Sequence, residues 1–380
     1  MKFIDLDAQR ARLGGALHEK LMGVVESGAY ILGPEVKAFE DQLSEYLGVE
    51  HVIGCASGTD ALQIPLMAWG IGPGDAVFVP SFTFASTAEV VALVGATPVF
   101  VDINPISYNM DVASLEAAIE MVAKRNDLTA KAIIPVDLFG MPADYASICA
   151  VAKLHGLRVI SDAAQSVGGK SGDKHLGSFG DVASTSFYPA KPLGCYGDGG
   201  AMMTNDGELA EVLRSVAFHG KGASQYDNVR IGMTSRLDTL QAAVLQLKLD
   251  ILEDEMLARQ KVAQRYHEGL SDIIQTAHNI GDARSAWAQY AIETSERDGL
   301  KAHLGEKGIP SVIYYVKPLH QQEAYKAFPV SPSGMSVTDA KPQTILCLPM
   351  HPYLSTDDQD QVIDQIRTFM ATKIVPMAAE

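Results

Sequence analysis

Several features that would direct this sequence elsewhere are missing from it. Long apolar runs are absent: the most apolar stretch, Val90 to Val101, is broken by Gly95 and Pro98, and a bilayer span needs about 18 apolar residues. No membrane partner is expected. The opening residues carry Asp5 and Asp7 and no apolar block, so no secretory signal is expected and the cytoplasm is the expected compartment. Cysteine is scarce and scattered, at Cys55, Cys149, Cys195 and Cys347, with no CxxC pair. That spacing predicts reduced, buried thiols and no metal site. Positive charge is also short: 30 Lys and Arg stand against 46 Asp and Glu, a net charge of −16. Without a basic stripe to displace counterions, nucleic acid is not an expected partner. An anionic small molecule would have to be held by local groups rather than by the overall field. No GxGxxG turn follows the first predicted strand, and no phosphate loop ending in Gly-Lys-Ser/Thr occurs. Internal repeats and low-complexity tracts are absent as well.

What is present is a chain of 380 residues, 47% hydrophobic, ample for a large core. A helix is predicted to end near Ser27-Gly28, and a second to run from Pro34 to Gly48. Apolar, β-branched runs follow at His51–Cys55, Ala76–Pro80, Pro98–Asp102, Ala132–Leu138, Arg158–Asp162, Val182–Phe187 and Ala201–Thr204. Most do not alternate with polar residues, as expected of strands buried on both faces. Helical patterns at Ser114–Arg125 and Asp144–His155 lie between some of them, so the reading is an α/β fold with a mostly parallel central sheet. One long helix is predicted over Leu237–Tyr266, then a smaller α+β region with helices near Arg297–Lys307 and Asp357–Ala371. The expected division is a large domain over residues 1–250, including an N-terminal arm, and a small C-terminal domain over 251–380.

Ligands of open parallel sheets bind beyond the carboxyl ends of the strands, and three groups fall at such ends. Ser57-Gly58-Thr59-Asp60 turns from the first strand into a helix. That is either an ordinary N-cap or a place where free N–H groups and a positive dipole receive a phosphate. Asp162 ends an apolar strand, where a carboxylate must cap the next segment or face a cation. Lys191 follows Ser184-Thr185-Ser186-Phe187-Tyr188-Pro189-Ala190 and precedes a glycine-rich turn. Alone it reads as a solvated loop lysine; desolvated, it becomes a nucleophilic amine. Together, in this order, the three are what a pyridoxal-phosphate site requires.

With those residues stand Gly28-Ala29-Tyr30-Ile31-Leu32-Gly33-Pro34-Glu35-Val36, Ser81-Phe82-Thr83-Phe84, Asp162-Ala163-Ala164-Gln165, Ser235-Arg236-Leu237-Asp238, Gln241-Ala242-Ala243 and Pro318-Leu319-His320. As an ordered set they resemble the DegT/DnrJ/EryC1/StrS sugar aminotransferase family over nearly the whole chain. The resemblance implies the aspartate-aminotransferase-like fold, pyridoxal-phosphate fold type I. It implies that Lys191 holds the cofactor covalently and moves a proton, and that Asp162 pairs with the ring nitrogen. Gln165 is implied near the ring's phenolic oxygen and Phe84 on the ring face. Gly58, Thr59 and Ser186 are implied as phosphate ligands. It further implies a homodimer with shared active sites, in which Met233-Thr234-Ser235-Arg236 reaches the partner's phosphate site. Thr234 stands there where the family commonly has asparagine.

The same resemblance implies a nucleotide-linked keto sugar as substrate and L-glutamate as amino donor, with Arg236, Tyr315 and His320 as substrate contacts. A 3-keto sugar is favoured, a 3-keto uronate comes next, and a 4-keto sugar third. Tyr314 stands where the uronate enzymes often carry a histidine. Family members that remove a hydroxyl have histidine in place of the lysine, so Lys191 argues against that outcome. A non-catalytic regulatory protein on this fold has no physical need for the lysine, the aspartate and the phosphate turn together. Of Phe82 and Phe84, only one is expected to face the cofactor. His219-Gly220 is read as a helix end or a turn, without a chemical role, and Arg230 is left between solvated residue and sugar-phosphate contact.

Overall fold

A computed structural model describes residues 1–224 and 226–374. The strands are β1 (His51–Cys55), β2 (Asp75–Pro80), β3 (Thr97–Val101), β4 (Thr129–Ile133), β5 (Arg158–Asp162), the short β6 (Lys170–Ser171) and β7 (Lys174–His175), β8 (Val182–Ser186) and β9 (Gly200–Thr204). Further on come β10 (Gln275–Thr276), β11 (Ala283–Arg284), β12 (Tyr290–Glu293) and β13 (Ile345–Leu348). Seven of them form the central sheet, in the order β1-β9-β8-β5-β4-β2-β3. Strands β2, β3, β4, β5 and β8 pair in parallel. Only β9 runs against its neighbours β1 and β8.

Both faces of this sheet are covered, which is why its strands read as unbroken apolar runs. On one face α5 (Val112–Ala123) and α6 (Tyr145–His155) bury Leu115, Ile119, Ile148 and Val151 against Phe78, Val99 and Ile133. On the other, α3 (Gly58–Ala68) and α4 (Ser86–Leu93) bury Leu62, Leu66, Val90 and Val91 against Val77, Val79 and Ile160. Consecutive residues of β2 thus serve opposite cores, the period of two that a strand imposes.

Two helices precede the sheet. The first, α1 (Leu6–Ser27), ends on a left-handed Gly28, and α2 (Pro34–Leu47), with proline in its first turn, ends on a left-handed Gly48. That is the expected punctuation. After α7 (Gly207–Ala217), the predicted single helix is two: α8 (Thr239–Asp250) and α9 (Leu252–Leu270), parted at Ile251 with φ −103° and ψ −1°. The apolar pattern runs through this break without interruption, so periodicity alone did not reveal it. The predicted strand Ala132–Leu138 is also corrected. Strand β4 stops at Ile133, and Leu138–Gly140 is a 3-10 turn in which Phe139 has φ +59°.

Beyond α9, a three-stranded antiparallel sheet, β10-β12-β13, is covered by α9, α10 (Arg297–Glu306) and α12 (Thr356–Ile374). Leu252 and Met256 of α9 belong to the core of α2 and α8, whereas Val262, Tyr266 and Leu270 belong to the core of the small sheet. We propose that the two domains divide along α9, close to the 1–250 and 251–380 partition. The stretch before α11 (Ser336–Thr344) returns to the large sheet: Leu319, Tyr325 and Met335 pack in the α3–α4 core, and the Leu319 amide donates to the Ser81 carbonyl at 3.0 Å. That return carries Tyr315 and His320 towards the carboxyl ends of the strands. No helix among the described residues is long and apolar enough to cross a membrane.

Candidate active site

Strands β1, β5 and β8 point the same way, so Cys55, Asp162 and Ser186 end at one edge of the sheet. Ser57 caps α3, its hydroxyl accepting from the Asp60 amide at 3.1 Å. The N-cap reading of this turn is therefore right, and it leaves room for the other. A Cβ on Gly58 would lie 2.5 Å from Cβ of Ser186, so glycine is what lets the start of α3 abut the end of β8. The first N–H groups of a helix have no partner within it, and here they open beside the Ser186 hydroxyl. Thr59 shares a hydrogen bond with Ser86 at 2.7 Å, and the Ser186 hydroxyl accepts from the Tyr188 amide at 3.2 Å.

Asp162 is buried, 5% exposed. Its carboxylate accepts from the Thr87 hydroxyl at 3.0 Å and from the Ala164 amide at 3.2 Å, and the segment after it is a turn rather than a helix. Both partners are neutral. Burial raises its pKa, against the pull of the Ala164 and Thr87 hydrogen bonds and of the Lys191 charge. A carboxylate held this way is short of a cation. Lys191, in the turn beyond β8, is partly buried, and its amide donates to the Tyr188 carbonyl at 2.9 Å. Burial pushes its ammonium below the usual lysine range, and only the Asp162 charge pulls it back. The sheet edge thus presents a nucleophilic amine, an undercompensated carboxylate and a helix N-terminus.

Gln165 sits beside them, its carbonyl oxygen accepting from the Phe139 amide at 2.7 Å and its amide donating to the Tyr315 hydroxyl at 3.4 Å. Tyr315 also packs edge-on against Phe82, ring centres 5.9 Å apart. Phe82 is buried and Phe84 is 59% exposed. The two rings part, but not by the strand alternation expected: alternate residues of a strand share a face, and 81–83 is a bend. His320 uses both ring nitrogens within the chain, sharing a hydrogen bond with Ser81 at 2.7 Å and approaching Asp339 at 3.1 Å. A substrate group can reach it only in exchange for one of these.

Thr234 and Arg236 lie apart from this cluster. The Thr234 hydroxyl is exposed and shares a hydrogen bond with His219 at 2.8 Å, and the Arg236 guanidinium lies 5.2 Å from the centre of the Phe218 ring. Ser235 between them is buried, donating to Asp60 at 2.6 Å. His219 does sit in a turn, with φ +58°. Arg230 donates to Ser215 at 3.3 Å.

Sequence reasoning missed Thr87, a helical threonine with no local signal, which reaches Asp162 only through the packing of α4 on the sheet. It also missed a second buried carboxylate, Asp137. That group accepts from Tyr145 at 2.8 Å, Ser166 at 2.7 Å and the Ala143 amide at 2.9 Å. Burial raises it to about 7, with the nearby Asp162 charge adding to the effect.

Residues 12–367 match the model of the DegT/DnrJ/EryC1/StrS aminotransferase family. The chain belongs to that family. A relative from Pseudomonas aeruginosa, named UDP-2-acetamido-2-deoxy-3-oxo-D-glucuronate aminotransferase, is 46% identical over 94% of this chain and 96% of its own. A crystal structure of a family aminotransferase from Brucella abortus superposes with TM-score 0.97 at 64% identity, covering 97% of this chain and 99% of that one. A Bacillus subtilis protein solved with bound cofactor PMP (pyridoxamine phosphate) superposes with TM-score 0.86 at 29% identity, over 97% of this chain and 83% of that one. The fold is that of the type I pyridoxal-phosphate aminotransferases, as the sequence motifs implied.

Proposed function

We propose that this family aminotransferase aminates a nucleotide-linked 3-keto sugar with L-glutamate as donor, using pyridoxal phosphate held at the sheet edge. The observation that carries the reading is Asp162, a buried carboxylate with neutral partners, set in the field of a desolvated Lys191. The residues fit the cofactor. Gly58 lets the start of α3 abut Ser186, and Gly58, Thr59 and Ser186 surround a helix N-terminus suited to phosphate. Asp162 fits a protonated ring nitrogen, Gln165 a phenolic oxygen, and the exposed Phe84 a ring face.

Bound there, the cofactor supplies an electron sink for charge developing at the donor's α-carbon. The chain's own groups do the rest. Asp162 would hold the proton on the ring nitrogen of the bound cofactor, whose charge would in turn keep the carboxylate ionised. Lys191, whose ammonium burial destabilises, takes a proton from the substrate carbon at Nζ and returns it. Tyr315 hydrogen-bonds the Gln165 amide and with His320 belongs to the proposed sugar-binding set, to which Arg236 would add from the loop of a partner subunit. Thr234 would serve the phosphate of a partner subunit's site, in a cytoplasmic homodimer with shared active sites.

The purified protein loaded with pyridoxal phosphate should be yellow, and borohydride should fix the cofactor to Lys191. Lys191→Ala should abolish the fixed adduct; an adduct that persists elsewhere assigns the wrong lysine. Bleaching by L-glutamate, followed by recovery of colour with 3-keto rather than 4-keto sugar nucleotides, tests the donor and the position together.

A further inference from the structure

Behind the Lys191 turn lies a second lysine, which the proposed chemistry leaves without a task. Lys248 of α8 is among the largest fully buried side chains, 1% exposed. Among the described residues it has no carboxylate within ion-pair distance. Its ammonium donates to the Gly194 carbonyl at 2.6 Å and lies 4.2 Å from the centre of the Tyr196 ring. Burial pushes it down to about 8, with the Glu255 and Cys195 charges opposing. One carbonyl and one ring face are thin compensation for a buried cation.

What this lysine grips is the turn that carries the active amine. The segment between β8 and β9 is closed at its base, where the Phe187 amide donates to the Gly199 carbonyl and the Cys195 amide to the Phe187 carbonyl, each at 2.8 Å. At its far side Gly194 is wedged against the residues leading into Lys191: a Cβ there would meet the Tyr188 and Pro189 carbonyl oxygens at 2.6 Å each. A shift of Gly194 is therefore passed directly to the backbone that sets the position of Lys191. Two turns earlier on the same face of α8, the Gln241 side chain accepts from the Tyr196 amide at 2.8 Å. One helix thus holds this turn at two points, and the charged point lies nearer the active lysine.

We infer that Lys248 is a positioning residue, whose ammonium clamps Gly194 and so fixes the reach of the Lys191 amine. The inference rests on the reading of Lys191 as the cofactor-holding lysine. It assigns to Lys248 no contact with substrate or cofactor. A methionine there fills the volume but leaves the Gly194 carbonyl without its donor.

The test uses the full chain, stripped of cofactor and reloaded with pyridoxal phosphate. Lys248→Met is expected to slow growth of the visible absorption band about tenfold or more, since small misplacements of a reacting group carry penalties of that order. The pH midpoint of the band is expected to move as well, and Lys248→Arg is expected to restore the rate to within about threefold, because it returns a cationic donor. A purely structural role would lower the melting temperature alone. A Met variant that reloads at the wild-type rate with an unmoved midpoint overturns the inference, whatever its melting temperature. If that variant does not fold, Lys248→Gln keeps a donor but no charge and takes its place: a slowed reloading with a moved midpoint supports the clamp, and wild-type values of both overturn it. Absence of a borohydride adduct at Lys191 in the wild type defeats the proposed function and this inference with it. An adduct there with wild-type behaviour of the variants defeats the inference alone.

Discussion

Asp162 accepts two hydrogen bonds from neutral groups, and that pairing sets what its replacement should do. Asparagine can keep the Thr87 contact but supplies no charge. Asp162→Asn is expected to lower turnover about 100-fold or more while the protein stays folded, as for other charges that act on a developing transition state; single-turnover bleaching with L-glutamate measures it. Gly58 is the steric counterpart. Its Cβ would stand 2.5 Å from that of Ser186, so Gly58→Ala should destabilise by about 1–3 kcal/mol, the usual range for overpacking. It should also weaken pyridoxal-phosphate affinity, readable by thermal melts with and without cofactor. Much of this site was legible in the sequence: Gly58, Asp162 and Lys191 each follow a strand, where the residue type is at odds with its surroundings. Thr87 and Asp137 were not legible, because they gain meaning only from an element that crosses them. Neither was the engagement of both nitrogens of His320, which Ser81 and Asp339 bring about from opposite ends of the sequence.

At the scale of elements, most strands of the large sheet were readable because burial on both faces leaves continuous apolar runs; β4 was misplaced, since Thr129, Ala130 and Lys131 are exposed or half-buried. The parting of α8 from α9 was not, since apolar residues continue on either side of Ile251. The small β6–β7 hairpin also escaped, being two polar pairs with no pattern of their own. It nevertheless has a measurable property. His175 packs on the Tyr46 ring of α2, centres 4.6 Å apart. Burial first, then the cations of Lys170 and Arg284, holds its pKa down to about 4, with the Glu253 charge opposing. The unfolded chain takes up this proton near pH 6.5 and the folded chain only near 4, so stability is lost as pH falls through that window. His175→Phe keeps a ring against Tyr46 and should remove that part of the acid sensitivity, seen as a flatter plot of denaturation midpoint between pH 6.5 and 4.

For the whole molecule, a patch of apolar side chains is left bare on the surface, and the proposed homodimer would give it a cover. Ile231 is 87% exposed, and Tyr226 and Val229, on either side of Asn228 of the Lys221–Asn228 bridge, are exposed as well. In the proposed homodimer these would be covered. Ile231→Asp is expected to shift sedimentation from dimer towards monomer and to weaken cofactor retention in parallel; retention unchanged in a monomer would separate the site from the partner. The one antiparallel strand of the large sheet, β9, has a consequence of a different kind. Because β9 returns directly beside β8, the Lys191 turn is a closed hairpin mouth whose two lips belong to the same sheet. A protease needs several residues of extended, yielding backbone, and this loop is tied by the Phe187–Gly199 and Cys195–Phe187 hydrogen bonds and by Lys248 on the Gly194 carbonyl. The reactive segment should therefore outlast the exposed residues around Val229 and Ile231 under digestion, and a clipped molecule would keep its lysine in place after losing the apolar patch proposed to meet a partner.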